Sequence, residues 1–246
     1  MDAGMSENDA AGAGAAFEAS WRERAVERSL RTARAKAVSR SDRFIQTATE
    51  LLSETGRTDF TVQELVERSK TSLRSFYQHF GSKDELLLAL FEEVIRFATV
   101  EWRKEIDEKD DCVAGLELLV LRLYAQSTDT TMGGMSRALT AYHLQLAQSR
   151  PEDYARVLAP MKDVIVELVE AGVATGRFRD DIEPEALAMI LMQTLVAAAH
   201  MHALGAHLTG EPLDAERLWA FCMGGLTVRT TEAPKPARRG ARSSRR

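Results

Sequence analysis

The chain has 246 residues, of which 45% are hydrophobic and 28% charged, so it can build one small and one larger domain, each with a buried core. A net charge of -5 excludes attraction to polyanions by overall charge, leaving only a local basic patch for that purpose. Two cysteines, Cys112 and Cys222, far apart and without metal-ligand spacing, exclude a disulfide framework and read as small core residues in a reducing compartment.

In chain order, residues 1–38 read as a disordered or partly helical basic extension. Met1 to Ala16 is rich in small residues. Phe17 to Val38 is rich in alanine and arginine, with a Glu27–Arg31 pair oriented to favour a helix. From Glu18 to Arg43 there are eight basic residues against four acidic ones, which supplies the local patch. Helix periodicity firms at Ser39. Ser39 and Asp42 can cap, Phe44, Ile45, Ala48, Leu51 and Leu52 form an apolar face, and Gly56 ends the helix.

Residues 39–83 read as a three-helix DNA-binding helix-turn-helix. Thr61 with Glu64, and Ser82 with Glu85, have the spacing of capping boxes, in which hydroxyl and carboxylate satisfy free helix N–H groups. Phe60 and Leu65 have the spacing of a hydrophobic staple. Val62, Leu65 and Val66 form one short buried stripe, Ser69 to Thr71 the turn, and Ser72 to about Gln78 a second helix that reads DNA. On that helix Leu73, Arg74 and Gln78 face outward while Phe76 and Phe80 face the core. Arg74 can bond a guanine edge at two points, Ser72 and Ser75 can donate to phosphate or base, and Leu73 can touch a thymine methyl. Thr61, Lys70, Tyr77, His79 and Lys83 complete the expected DNA contacts, with Tyr77, His79 and Lys83 clamping phosphate.

The run Ser75-Phe76-Tyr77-Gln78-His79-Phe80-Gly81-Ser82-Lys83, preceded by Thr61, Leu65-Val66 and the Ser69-Lys70-Thr71-Ser72 turn, resembles the DNA-binding domain of the TetR family of transcriptional regulators across Ser39 to Leu90. The resemblance implies a dimeric repressor, released from a palindromic double-stranded DNA operator by a small-molecule effector. One position departs from the family pattern, with Lys70 where glycine is frequent. A left-handed backbone there would cost lysine on the order of 1 kcal/mol.

Beyond Lys83 the pattern is helical throughout, with breaks near Asp107–Asp111, Ser127–Gly134, Ser149–Pro151, Gly176–Pro184 and Leu208–Pro212. The fold class is therefore all-α, with residues 84–230 forming a larger helical effector-binding and dimerisation domain and residues 231–246 a disordered basic tail. Leu187, Leu191, Leu195 and Ala198, with Leu218, Cys222 and Leu226, are the expected dimer interface. Trp102, Tyr124, Tyr142, His143, Phe178, Met192 and Gln193 are the candidate effector contacts, and their apolar bulk with few polar handles suits a lipophilic ligand.

His200, His202 and His207 lack a carboxylate or cysteine at ligand spacing, so no metal is expected, and no sequence motif calls for a cofactor. There is no H-E-x-x-H, P-loop or G-x-S-x-G motif, so no enzyme is expected either. The apolar run from Met189 to Ala199 is interrupted by Gln193, Thr194 and His200, and a cytoplasmic protein with no membrane partner is expected. The competing reading is a DNA-binding or protein-interaction module without an effector.

Overall fold

The computed structural model describes residues 40–128, 133–206 and 213–227. The expected N-terminal extension, the basic tail, Ser39 and His207 lie outside the described residues. Within them every regular element is an α-helix and no strand occurs.

The first helix, α1, covers residues 40–55 of the described chain. Its apolar residues Phe44, Ala48, Leu51 and Leu52 recur at helical spacing and are buried. Gly56 ends it in a left-handed conformation with φ 66°, its N–H donating to the Leu52 carbonyl at 2.8 Å. Then follow α2 (Val62–Arg68), α3 (Leu73–Tyr77) and α4 (Lys83–Asp107). The capping box at Thr61 is closed in both directions, as its sequence predicts. The second box closes differently. Ser82 Oγ accepts from the Glu85 N–H at 3.2 Å, but the Glu85 carboxylate turns to the Gly81 N–H at 2.8 Å. Gly81 permits this because a Cβ there would stand only 3.1 Å from that carboxylate.

The remaining helices are α5 (Cys112–Thr128), α6 (Gly133–Ser149), α7 (Pro151–Ala174), α8 (Pro184–Ala203) and α9 (Ala215–Leu226). Pro160 lies inside α7, so the Arg156 carbonyl has no helical N–H to accept. At the end of α7 the chain folds back. Arg177 and Phe178 both donate their N–H to the Gly172 carbonyl, Gly176 takes φ 70°, and a Cβ on Gly172 would stand 2.0 Å from the Phe178 ring.

Two compact units can be distinguished. Among the described residues, one holds 40–96 together with 133–157, and the other holds 97–128, 158–206 and 213–227. In the first, α6 meets the last turn of α1 at Gly134 and the opening of α4 through Tyr142, which donates to the Asp84 carbonyl and stacks edge-on against Phe91. In the second, α8 and α9 pack on α5 and on each other.

Helix α8 is 20 residues long, and its most apolar window has a mean hydropathy of 1.4. By length and composition alone it could cross a membrane, contrary to the expectation that Gln193, Thr194 and His200 interrupt it. Leu187, Leu191 and Leu195 on one side of it are nevertheless buried within the second unit.

Candidate nucleic-acid interface

The short helices α2 and α3 are too short to hold themselves together, and an aromatic cluster does it for them. Phe44 of α1 meets Phe76 edge-on at 5.5 Å between ring centroids, and Phe80 lies 6.2 Å from Phe44 and 5.8 Å from Phe76. A second tie joins α1 to α2. The Arg68 guanidinium grips the Glu54 carboxylate, with one bond at 2.6 Å, and this hydrogen bond holds the Glu54 carboxyl below its usual range.

The turn between α2 and α3 is fixed residue by residue. Ser69 N–H donates to the Leu65 carbonyl at 2.9 Å, Lys70 N–H to Glu67 at 3.2 Å and Thr71 N–H to Val66 at 2.9 Å. The buried Ser69 hydroxyl lies 2.7 Å from Thr71 Oγ1. Lys70 takes φ 51°, the left-handed conformation in which glycine would be at ease, and it is exposed. Ser72 begins α3 with its Oγ accepting from the Ser75 N–H at 3.2 Å, and its hydroxyl proton remains free to donate outward.

The helix then presents an open face. Leu73 is 42% exposed, Tyr77 58%, and Arg74 and Gln78 are also exposed. Neither Arg74 nor Lys70 makes an ion pair among the described residues, so both charges stand uncompensated beside the apolar and aromatic surface of Leu73 and Tyr77.

Four other expected contacts are placed differently. Ser75 points inward, its Oγ buried without a partner. The reason is its place on the same side of α3 as Phe76 and the ring of His79. His79 also turns inward: Nδ1 lies 2.8 Å from the Ser75 carbonyl and therefore carries the proton, Nε2 is buried without a partner, and the ring meets Phe44 at 6.0 Å. The Thr61 hydroxyl is committed to the capping box and sits 3.1 Å from the Glu64 carboxylate, which repels phosphate. Lys83 Nζ donates to the Thr58 and Phe60 carbonyls at 3.0 Å each and rests 5.4 Å over the Phe60 ring, so one of its three protons is left for an outside acceptor.

The expected effector contacts divide between the two units. Tyr142 and His143 belong to the first unit, whereas Trp102, Tyr124, Phe178, Met192 and Gln193 belong to the second. All but Gln193 are buried, and most have a structural partner. Tyr142 donates to the Asp84 carbonyl at 3.2 Å, and burial, followed by the Asp84 charge, pushes its hydroxyl up to about 12. His143 Nε2 lies 2.7 Å from the Tyr154 hydroxyl, Tyr124 bonds His202 Nδ1 at 3.2 Å, and Phe178 covers Gly172. Gln193 is on the surface. A cleft of about 380 Å³ along α4 and α7 is lined instead by Val100, Pro160 and Val164 with Arg103, Asp107, Asp163 and Glu167 around them, and Arg103 and Glu167 pair at 2.5 Å.

The residues of the expected dimer interface face the interior of the protomer. Leu187, Leu191, Leu195, Leu218, Cys222 and Leu226 are all buried within one protomer, and Ala198 is half-buried. They fill the space between α5, α8 and α9, where burial pushes the Cys222 thiol up to about 11. The surface stripe is the opposite one: Ile190, Gln193, Ala197 and Met201 on α8, and Ala220, Phe221 and Gly224 on α9, with Phe221 72% exposed. Helical period alone could not have found it, because α8 is apolar nearly all round. Nor does the pair Phe221–Cys222 give a signal, since adjacent apolar residues can share a buried face, as Leu51 and Leu52 do on α1.

Among the described residues no group of three or more His, Cys, Asp or Glu is placed to hold a metal ion.

Comparison with known proteins agrees with this geometry. The profile of the bacterial regulatory proteins, tetR family, matches residues 44–90, the stretch from the second turn of α1 to the second turn of α4. The HTH-type transcriptional repressor NicS of Pseudomonas putida is 23% identical over 194 residues, covering 76% of this chain and 90% of NicS. The transcriptional regulator FadR of Bacillus subtilis, solved with stearoyl-CoA, superposes with a TM-score of 0.61 at 15% identity, covering 75% of this chain and 98% of FadR. Thermus thermophilus FadR, a repressor solved with lauroyl-CoA, superposes at 0.59 and 20% identity, covering 80% and 99%.

Proposed function

We propose that the chain, whose matches are to TetR-family regulators, is a transcriptional regulator of that family, a dimeric repressor released from its operator by a small lipophilic effector. The observation that carries the reading is the open face of α3. Arg74 stands exposed and unpaired between Leu73 and Tyr77, one turn after the exposed ammonium of Lys70. A fork of donors flanked by apolar surface is what a major groove accepts, and the N-terminal residues of the second helix are those that reach base edges. Arg74 and Leu73 read bases. Lys70, Ser72, Tyr77 and the third proton of Lys83 contact phosphate, helped by the free N–H groups at the start of α4.

Two copies join through α8 and α9. The outward stripe of Ile190, Ala197, Met201 and Phe221 is apolar and unsatisfied in one protomer, and two such helix pairs make a four-helix bundle. This also accounts for the hydrophobicity of α8, which buries one face within the protomer and the other against its partner. Two copies then place their α3 helices on half-sites about 34–36 Å apart, which makes the operator palindromic. Residues 39–83 form the reading domain and residues 84–230 the domain that dimerises and takes the effector, in the cytoplasm. A lipophilic effector is supported by the acyl-CoA complexes of the two FadR proteins. Such a ligand releases DNA only by preferring a conformation whose reading helices are wrongly spaced.

The test is selection of bound sequences from a random DNA pool with wild type and Arg74→Ala. Enrichment of a palindrome by wild type, with relaxed preference at one position per half-site in the variant, supports the reading. No enrichment by wild type, or uniform loss across operator variants for Arg74→Ala, removes it. Release of the selected site by acyl-CoA or other lipophilic compounds then tests the effector.

A further inference from the structure

Helix α6 begins with two glycines, and only one of them has no room to be anything else. A Cβ on Gly134 would lie 2.0 Å from the Ser53 carbonyl oxygen, 2.8 Å from its carbon and 3.2 Å from the Leu52 oxygen. All three are backbone atoms of the last turn of α1, which cannot rotate away as a side chain could. A Cβ on Gly133, by contrast, would meet only the Arg137 guanidinium at an ordinary 3.7 Å. One turn further along α6, Arg137 lies against Gly56, its Nη2 and Nε 3.0 and 3.1 Å from where a Cβ would stand. Gly56 is the left-handed residue that terminates α1. The start of α6 and the end of α1 therefore abut, backbone to backbone, with the positive end of one helix and a guanidinium set against the carbonyl end of the other.

We propose that Gly134 and Arg137 are positioning residues for DNA binding: they seat the end of α1 and so set where the reading unit is held, although neither touches DNA. Because α1 carries Phe44 and the Glu54–Arg68 tie, a displacement of its last turn is carried into α2 and α3. The inference rests on the reading that two copies bind two half-sites at a fixed spacing. Adding a methyl at Gly134 forces α6 and α1 apart by about 1 Å, since a well-packed contact of this kind can be relieved only by backbone movement. The displacement is repeated in both protomers, and the spacing of half-sites is read in steps of one base pair, about 3.4 Å.

The experiment presents wild type, Gly134→Ala and Gly133→Ala with DNA in which two selected half-sites are separated by spacers varied one base pair at a time. A merely structural role would lower affinity for every spacer alike. The proposal expects wild type and Gly133→Ala to share one preferred spacer, and Gly134→Ala to shift to a neighbouring spacer or bind two adjacent ones equally, with base preference inside each half-site unchanged. A Gly134→Ala profile that parallels wild type overturns the proposal. If Gly134→Ala does not fold, Arg137→Gln decides in its place: broadened spacer preference supports the seat, and an unchanged profile overturns it. A wild-type protein indifferent to spacing would refute the paired half-site reading itself, a result distinct from failure of the seat.

Discussion

Lys70 is a residue whose removal should strengthen the fold and weaken the function. Its φ of 51° costs an L-residue about 1–2 kcal/mol, while glycine gives back about 0.5–1 kcal/mol in the extra chain freedom it loses on folding. The turn's hydrogen bonds come from backbone N–H groups and survive the change. Lys70→Gly is thus expected to stabilise by about 0.5–1 kcal/mol, or about 1–4 °C in melting temperature for a protein of this size. The same variant removes one ammonium from the DNA face, so the slope of log affinity against log salt should fall by about 0.9. Calorimetry and operator titrations at several salt concentrations measure the two effects on one preparation. Lys70→Ala separates them, because it keeps the backbone strain and loses the charge: its salt slope should match that of Lys70→Gly without the gain in melting temperature. If Lys70→Gly melts at or below wild type, the left-handed turn is not strained by lysine. If its slope equals that of wild type, the ammonium touches no phosphate.

Phe221→Asp should convert the protein to a monomer in sedimentation while leaving its helical signal intact, since the ring is exposed in one protomer. Leu195→Ala should instead destabilise the fold by about 2–5 kcal/mol, and a variant that dissociates the dimer without losing stability would restore Leu195 to the interface. Lys83→Met should cost about 1 kcal/mol even without DNA, measured by denaturant unfolding, because the Thr58 and Phe60 carbonyls lose their shared donor. At pH 8 a thiol reagent should modify the half-exposed Cys112 and spare Cys222, as counted by mass spectrometry. Because the Cys222 thiol titrates at about 11 in the fold against 9.0 in a free chain, the unfolded state loses its proton first. Stability should therefore decline as pH rises from about 9 toward 11, and Cys222→Ser should flatten that decline.

What could be read in the sequence was local. The Thr61–Glu64 box, the glycine that ends α1 and the left-handed turn at Lys70 all depend on residues within four positions of one another, and the structure shows each of them. The alternation of Leu73, Arg74, Tyr77 and Gln78 outward with Phe76 and Phe80 inward is likewise a matter of period. Ser75 and His79 show the limit. Both have the chemistry to contact DNA, but the phase of a five-residue helix decides their direction, and a shift of one residue turns it by about 100°. The structural bonds of Lys83 were hidden for another reason: its acceptors, the Thr58 and Phe60 carbonyls, belong to a loop more than twenty residues away. Which face of α8 stays exposed was beyond reach because an all-apolar helix gives no phase, and buried tyrosines and histidines advertise the same chemistry whether they hold a ligand or one another.

The seat of α1 also has a history within the life of each molecule. Residues 40–83 leave the ribosome with their aromatic cluster complete, but Gly134 follows Ser53 by 81 positions. At a synthesis rate of about 5–20 residues per second, the end of α1 waits roughly 4–16 s for the helix that covers it. During that interval the nascent chain has a formed reading face with nothing to hold it at a fixed distance from a second one. On the proposed reading, a newly made reader is therefore a monovalent DNA binder tethered to its own message, and it can sense half-site spacing only after α6 has seated α1 and the later α8 and α9 have found a partner.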